Sequence, residues 1–114
     1  MGIGIGDTPS DTILWSSSNV SLSSANLIMA TWSKSTSLAT IAVNGVAESK
    51  LLGTGGNRGT AAMTIGYSTF QGDVAELRLY NTTLTTVQLY SVHTSLASTY
   101  AINTTWRTVS LARA

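Results

Sequence analysis

The chain has 114 residues, of which 43% are apolar and 10% are charged, and this length allows one domain with a single core. Six basic and five acidic residues give a net charge of +1 without a basic run, so the sequence offers little attraction for a nucleic-acid backbone. The chain has no cysteine and one histidine, which removes disulfides, thiol nucleophiles and the usual zinc ligands. We expect no nucleic-acid partner, no metal and no cofactor.

Serine and threonine are unusually frequent, at 16 and 18 residues, and with ten glycines they favour β-branched strands joined by small-residue turns. No segment approaches the ~20 apolar residues that cross a bilayer. The first residues lack the basic and apolar regions of a secretory signal. The composition therefore predicts a mainly β protein without membrane insertion.

Residues 1–25 are predicted to be an N-terminal arm that contains a first short strand at residues 13–15. Asp7 and Asp11 lie in this arm, and carboxylates of this kind can bind calcium. Because both stand apart from other acidic residues, we interpret them as turn residues, with calcium binding as the alternative.

Residues 26–102 are predicted to form the β core. Three apolar stretches bounded by turn residues indicate strands at 26–32, 38–43 and 46–52. The dipeptide Asn44-Gly45 is a strong hairpin signal, since both residues tolerate a positive φ. Trp32 closes the first of these strands and is assigned to the core.

Further strands are predicted at 62–66 and within 70–80, the latter with three apolar residues on one face: Ala75, Leu77 and Leu79. The glycine-rich stretches at 2–6 and 53–59 are assigned to turns. Neither stretch has the Gly-Lys-Ser/Thr ending and the following helix of a phosphate-binding loop.

The hydrophobic period changes near residue 84 and predicts a helix over 85–100. The residues that recur at three- and four-residue steps are Leu84, Leu89, Val92, His93, Leu96 and Tyr100. Thr85 and Gln88 have the spacing of a capping box at its start. Residues 103–114 form either a terminal strand or an extended arm.

Five segments follow one another in a fixed order: 30–32, 41–46, 64–66, 70–81 and 84–85. The series, and above all the block from Gly72 to Leu84 that leads into a capped helix, resembles the concanavalin A-like, laminin-G-like jelly-roll superfamily. The likeness covers roughly residues 26–102. It implies a sandwich of antiparallel sheets, frequently a carbohydrate- or protein-binding module and sometimes a glycosidase.

Members of that superfamily carry several more strands before the segment corresponding to Asn26, and here 25 residues stand in their place. A sheet without those strands has unpaired N–H and C=O groups and uncovered apolar side chains. We therefore expect an abbreviated β-sandwich that is completed by strand exchange, by a homo-oligomer such as a trimer, or by docking onto a larger assembly.

Glycosidases of this fold need two carboxylates flanking a sugar. The nearest pattern here is Asp73-x-x-Glu76, whose side chains fall on opposite faces of a strand. Glu76 and Arg78 are interpreted as ordinary same-face strand residues. His93 is interpreted as a surface or core-edge group, because no nucleophile-elbow pattern occurs in the chain. No catalytic residue is assigned, and the chain is predicted not to be an enzyme.

Sugar recognition would need exposed aromatic residues with polar donors beside them. The weak candidates for ligand binding are Trp15, Asn57, Arg58, Tyr67 and Trp106. For the aromatic residues, packing inside the sandwich or at an oligomer interface is the alternative interpretation.

The sequence thus favours a non-enzymatic structural or interaction protein that assembles in multiple copies on a larger particle, such as a viral (phage) decoration, cement or fibre protein. Its location would be the virion, after assembly in the host cytoplasm. The alternative is a small, extracellular, lectin-like module for cell-surface glycans.

Overall fold

The computed structural model describes residues 2–4, 13–15, 17–51 and 71–109. Its elements are β1 (Gly2–Gly4), β2 (Ile13–Trp15), β3 (Ile28–Ser33), β4 (Leu38–Val43), β5 (Val46–Leu51), α1 (Thr86–Thr99) and β6 (Arg107–Val109). Strands β1 and β2 form an antiparallel pair, and the other four form one sheet in the order β3-β4-β5-β6. The described residues thus form a four-stranded sheet with one helix and a small second sheet.

Two tight turns build the antiparallel β3-β4-β5 meander. Residues 34–37 connect β3 with β4, and Ser37 has a φ of 55° there. Asn44 and Gly45 connect β4 with β5, with φ of 51° and 87°. Positive φ at both central residues gives the turn the twist that adjoining antiparallel strands need. The strands predicted at 26–32, 38–43 and 46–52 and the Asn44-Gly45 hairpin are confirmed.

Strand β6 runs parallel to β5, with Val46 opposite Arg107 and Glu48 opposite Val109. This corrects the expectation that the sheets are antiparallel throughout. The physical reason is the crossover, because α1 lies between the two strands in the chain and returns it to the same end of the sheet. Of the two alternatives for the C-terminal residues, a short terminal strand is the one the structure forms.

The four-stranded sheet is buried on both faces. One face carries Ile41 and Glu48, which are directly opposite each other in the register and fully buried. Strand β2 contacts β4. The other face carries Thr40 and Ala47. Helix α1 lies on this second side, because its Leu89 borders the same cavity as Thr40 and Ala47.

Helix α1 confirms the prediction for residues 85–100. Thr85 is its N-cap, the Thr85 side chain accepts from the Gln88 backbone N–H, and the Gln88 side chain accepts from the Thr85 N–H. Leu89, His93 and Leu96 are its buried residues. Within the described residues, no helix has the length and apolar character needed to cross a bilayer.

Residues 71–80 correct another prediction, since none of them belongs to a strand and all of them are exposed. Their alternating pattern is that of a strand, but a strand forms only where a neighbouring chain accepts its backbone hydrogen bonds. Among the described residues, the strands that pair in the sheet are four other segments, in the order β3-β4-β5-β6. Alternation alone therefore did not decide the structure of this segment.

Smaller corrections concern Gly2, Gly4 and Trp32. The two glycines lie in β1 rather than in a turn. Trp32 is only partly buried, because β3 is at the edge of the sheet that the described strands form. The predicted loop at 53–59, the predicted strand at 62–66 and the residues Asp7 and Asp11 lie outside the described residues.

Candidate functional site

A cavity of about 430 Å³ lies between the start of α1 and one face of the four-stranded sheet. Serine and threonine supply most of its described lining. Thr31, Thr40 and Ser49 line it from three neighbouring strands. They form one row, because Thr31 is opposite Thr40 and Thr40 is opposite Ser49 in the register. Side chains that occupy matched positions in a pleated sheet point to the same side.

Two neighbouring hydroxyl groups of this row are close enough to hydrogen-bond to each other. The Thr40 Oγ1 and Ser49 Oγ atoms are 2.7 Å apart. A hydroxyl both donates and accepts, so these side chains can offer hydrogen-bond donors and acceptors to a molecule in the cavity.

The segment leading into α1 closes one side of the cavity with Thr83, Thr85 and Thr86. The Thr83 hydroxyl donates to the Trp32 carbonyl at 2.6 Å, which fixes this segment to the edge strand β3. The first turn of the helix contains no acidic residue, and the described lining carries no charged side chain. The cavity is therefore neutral and rich in hydroxyl groups.

Trp106 is the sequence-predicted candidate that the structure places at this cavity. Its ring also contacts His93, with ring centroids 5.5 Å apart and an interplanar angle of 59°. Trp15 lies in β2, while Asn57, Arg58 and Tyr67 lie outside the described residues. The hydroxyl row was missed by the sequence analysis, although alternate Thr and Ser residues in adjacent strands were a readable signal.

His93 is buried, with 3% of its surface exposed, which corrects its interpretation as a surface or core-edge group. Its Nε2 atom is 2.8 Å from the Thr104 hydroxyl. Its Nδ1 atom is buried and has no hydrogen-bond partner among the described residues. Burial lowers the pKa of His93 below its ordinary value, because a charged imidazolium loses its hydration there.

Glu48 is a fully buried carboxylate that the sequence analysis did not single out. The Ser17 backbone N–H donates to its Oε2 at 2.8 Å, and the Ser17 hydroxyl donates to its Oε1 at 2.5 Å. These bonds attach the serine-rich segment after β2 to the sheet. Glu48 lies on the face opposite Thr40 and Ser49, so it does not take part in the cavity.

The exposed residues Glu76 and Arg78 form an ion pair, with Arg78 Nε donating to Glu76 Oε1 at 2.5 Å. The Tyr100 hydroxyl donates to the other Glu76 oxygen at 2.6 Å. The bond from Tyr100 and then the bond from Arg78 lower the pKa of Glu76, and the same contact with Glu76 raises the pKa of Tyr100. This cluster links residues 71–80 to the end of α1.

The carboxylates of Glu48 and Glu76 therefore differ in burial and in partners, and they occupy separate parts of the molecule. Over residues 17–51 and 71–109, no group of three metal-ligating side chains comes together. Searches of protein-family models, of curated proteins and of solved structures found no match to this chain.

Proposed function

We propose that this chain is a non-enzymatic structural or interaction protein that assembles in multiple copies on a larger particle, such as a viral decoration, cement or fibre protein. The observation that carries the proposal is the series of exposed apolar side chains along residues 71–80: Val74, Leu77, Leu79 and Tyr80, with exposures of 53%, 51%, 70% and 48%. Exposed apolar side chains concentrated in one segment favour a contact with another protein.

Two further features support assembly. Among the described strands, β3 lies at the edge of its sheet, and an edge strand presents free backbone groups to a strand from another chain. Ile28 in β3 and Leu38 in β4 are also exposed, at 42% and 38%. Charged residues are scarce, at 10% of the chain, so little charge opposes contact between copies.

The abbreviated jelly-roll sandwich is part of the same proposal. The small β1-β2 sheet near β4 and the capped helix that follows residues 71–85 support it. In an assembled particle, residues 71–80 would find the strand neighbours that their alternating pattern requires.

The native mass of the 114-residue chain tests the proposal directly. Light scattering or sedimentation should give a multiple of 11.9 kDa. The double substitution Leu77→Ser and Leu79→Ser should shift the mass toward one copy while the helix signal in circular dichroism stays unchanged. The matched control is Leu22→Ser, since Leu22 is 98% exposed but lies outside this series. A single-copy mass for the unmodified chain, or full assembly of the double variant, would contradict the proposal.

A second candidate function is a lectin-like module, and the neutral, hydroxyl-lined cavity with Trp106 at its border favours it. Sugars are uncharged polyols, and binding sites for them combine aromatic surface with convergent hydrogen-bonding groups. Calorimetry with neutral oligosaccharides tests this function. Thr31→Val, which removes a lining hydroxyl at nearly constant volume, should weaken binding, whereas Thr94→Val on the exposed side of α1 should not.

A further inference from the structure

Two separate parts of the chain, residues 104–106 and the Asn44-Gly45 turn, meet at the ring of His93. Thr104 bonds its Nε2 atom, Trp106 contacts the ring, and the hairpin turn approaches it at Gly45. A Cβ added to Gly45 would lie 3.0 Å from His93 Nε2 and 2.7 Å from the Thr105 carbonyl oxygen. The space between the turn, the ring and residues 104–106 is therefore already filled.

The same place is where β6 is attached to the sheet. The Arg107 N–H donates to the Gly45 carbonyl at 2.8 Å, and this bond precedes the parallel pairing of β6 with β5. Strand β6 has three residues, and among the described strands it has a sheet neighbour on one side only. A short edge strand of this kind opens at a much lower cost than the whole domain.

We propose that His93 is a pH-sensitive attachment point for the C-terminal strand: protonation of its ring releases residues 104–109 from the Gly45 turn while the β3-β4-β5 meander and α1 stay folded. This inference does not depend on the proposed assembly.

The geometry makes a second ring proton costly. A neutral imidazole has one donor and one acceptor nitrogen, whereas the imidazolium has two donors. Nε2 has the Thr104 hydroxyl as its partner, but Nδ1 has none among the described residues. A buried N–H without an acceptor, carrying part of a positive charge, is unfavourable. Release of residues 104–109 admits water to both nitrogens.

The charged groups on the neighbouring elements do not compensate this cost. The titratable residues of α1 and its C-cap are Tyr90 and Tyr100, besides His93 itself. Glu76 bonds to Tyr100, which follows His93 by seven residues, or about 10 Å along a helix. On β5, Glu48 and Lys50 alternate onto the sheet face opposite α1, and the charge on β6 is another cation, Arg107.

The sign of the pH dependence follows from burial. The pKa of His93 is lowered in the closed state, whereas a hydrated histidine titrates near its ordinary value of about 6.5. The open state therefore binds more protons at mildly acidic pH. The attachment is fully stable above pH about 6.5 and weakens as the pH falls toward the lowered pKa of the closed state.

Amide hydrogen exchange measured by NMR on the intact chain tests the proposal. After correction for intrinsic exchange, protection of the Arg107 amide should fall by at least about threefold between pH 7.5 and pH 5. Protection of the Leu89 amide, which donates to the Thr85 carbonyl inside α1, should not fall with it. Constant Arg107 protection, or an equal loss at Leu89, would overturn the proposal.

The matched variant is His93→Gln, whose side chain keeps polar atoms but does not titrate in this range. Its Arg107 protection should be independent of pH. The same pH dependence in this variant would assign the effect to another group and defeat the proposal. A direct NMR titration of the His93 ring in the unmodified chain decides the matter if the variant fails to fold. Its pKa must lie below the ordinary value and coincide with the change in Arg107 protection; a normal pKa contradicts the mechanism.

Discussion

Strand β4 and residues 71–80 both match the pattern of a strand in the sequence, but only β4 forms one. Five of the six residues of β4 are apolar, whereas apolar and polar residues alternate from Ala75 to Leu79. Ile41 in β4 is 0% exposed and Leu79 is 70% exposed. Strand β4 has a hydrogen-bonded neighbour on each side, and residues 71–80 belong to no strand. The difference teaches that alternation defines a face, whereas neighbouring strands decide whether that face becomes core.

The same contrast separates two glutamates. Glu48 lies in a paired strand, and its carboxylate accepts two hydrogen bonds from Ser17 in a buried place. Glu76 lies in the unpaired segment, where Arg78 and Tyr100 bond it at the surface. One carboxylate connects two layers of the fold, and the other connects a segment to the end of a helix.

The largest expected effect on stability is in the buried strand β4. Ile41→Ala removes a fully buried side chain and should lower the free energy of unfolding by about 2–5 kcal/mol. Leu79→Ala, in the exposed segment, should change it by no more than about 0.5 kcal/mol. Urea unfolding at protein concentrations low enough to separate the copies measures both. Equal losses would mean that residues 71–80 contribute to the core as β4 does.

The two glutamates give the next comparison. Glu48→Gln keeps the size of the side chain but weakens the bonds from Ser17, and we expect a loss of about 1–3 kcal/mol in stability. Glu76→Gln should leave stability and any measured function nearly unchanged, because solvent screens this exposed cluster. Denaturation curves of the two variants provide the measurement. Loss of a hydrolytic activity in Glu76→Gln would refute the non-enzyme interpretation.

The smallest expected effect is at the N-terminus of α1, where residues 71–85 end. Thr85→Ala removes the N-cap hydroxyl that accepts from Gln88 and should lower stability by about 1 kcal/mol. Thr94→Ala, inside the helix, is the matched control, because alanine has a helix propensity higher by about 0.5 kcal/mol. Thermal unfolding followed by circular dichroism should show opposite signs for the two substitutions. The same sign for both would indicate that the cap is not what begins the helix.

Local signals in the sequence were sufficient for several elements. The turn at Asn44-Gly45 depends on the backbone preferences of two residues. The start of α1 depends on the reciprocal bonds of Thr85 and Gln88, which are three residues apart. These features need nothing from the rest of the chain, and the structure has both of them as predicted. The candidate site was harder to predict from the sequence, since the pattern indicated Trp106 but not the hydroxyl row beside it.

The sequence by itself determined the periodicity of each segment, the hairpin and the capped helix, because each depends on contacts within a few residues. Only the tertiary structure decided that β6 joins β5 in parallel, that His93 and Glu48 are buried, and that residues 71–80 lie outside the sheet. Those outcomes depend on which distant segments compete for the same edge or face of the sheet. Local geometry depends on residues that are close in the sequence. Strand pairing and burial each involve two segments that are distant in the sequence, and so they depend on the fold as a whole.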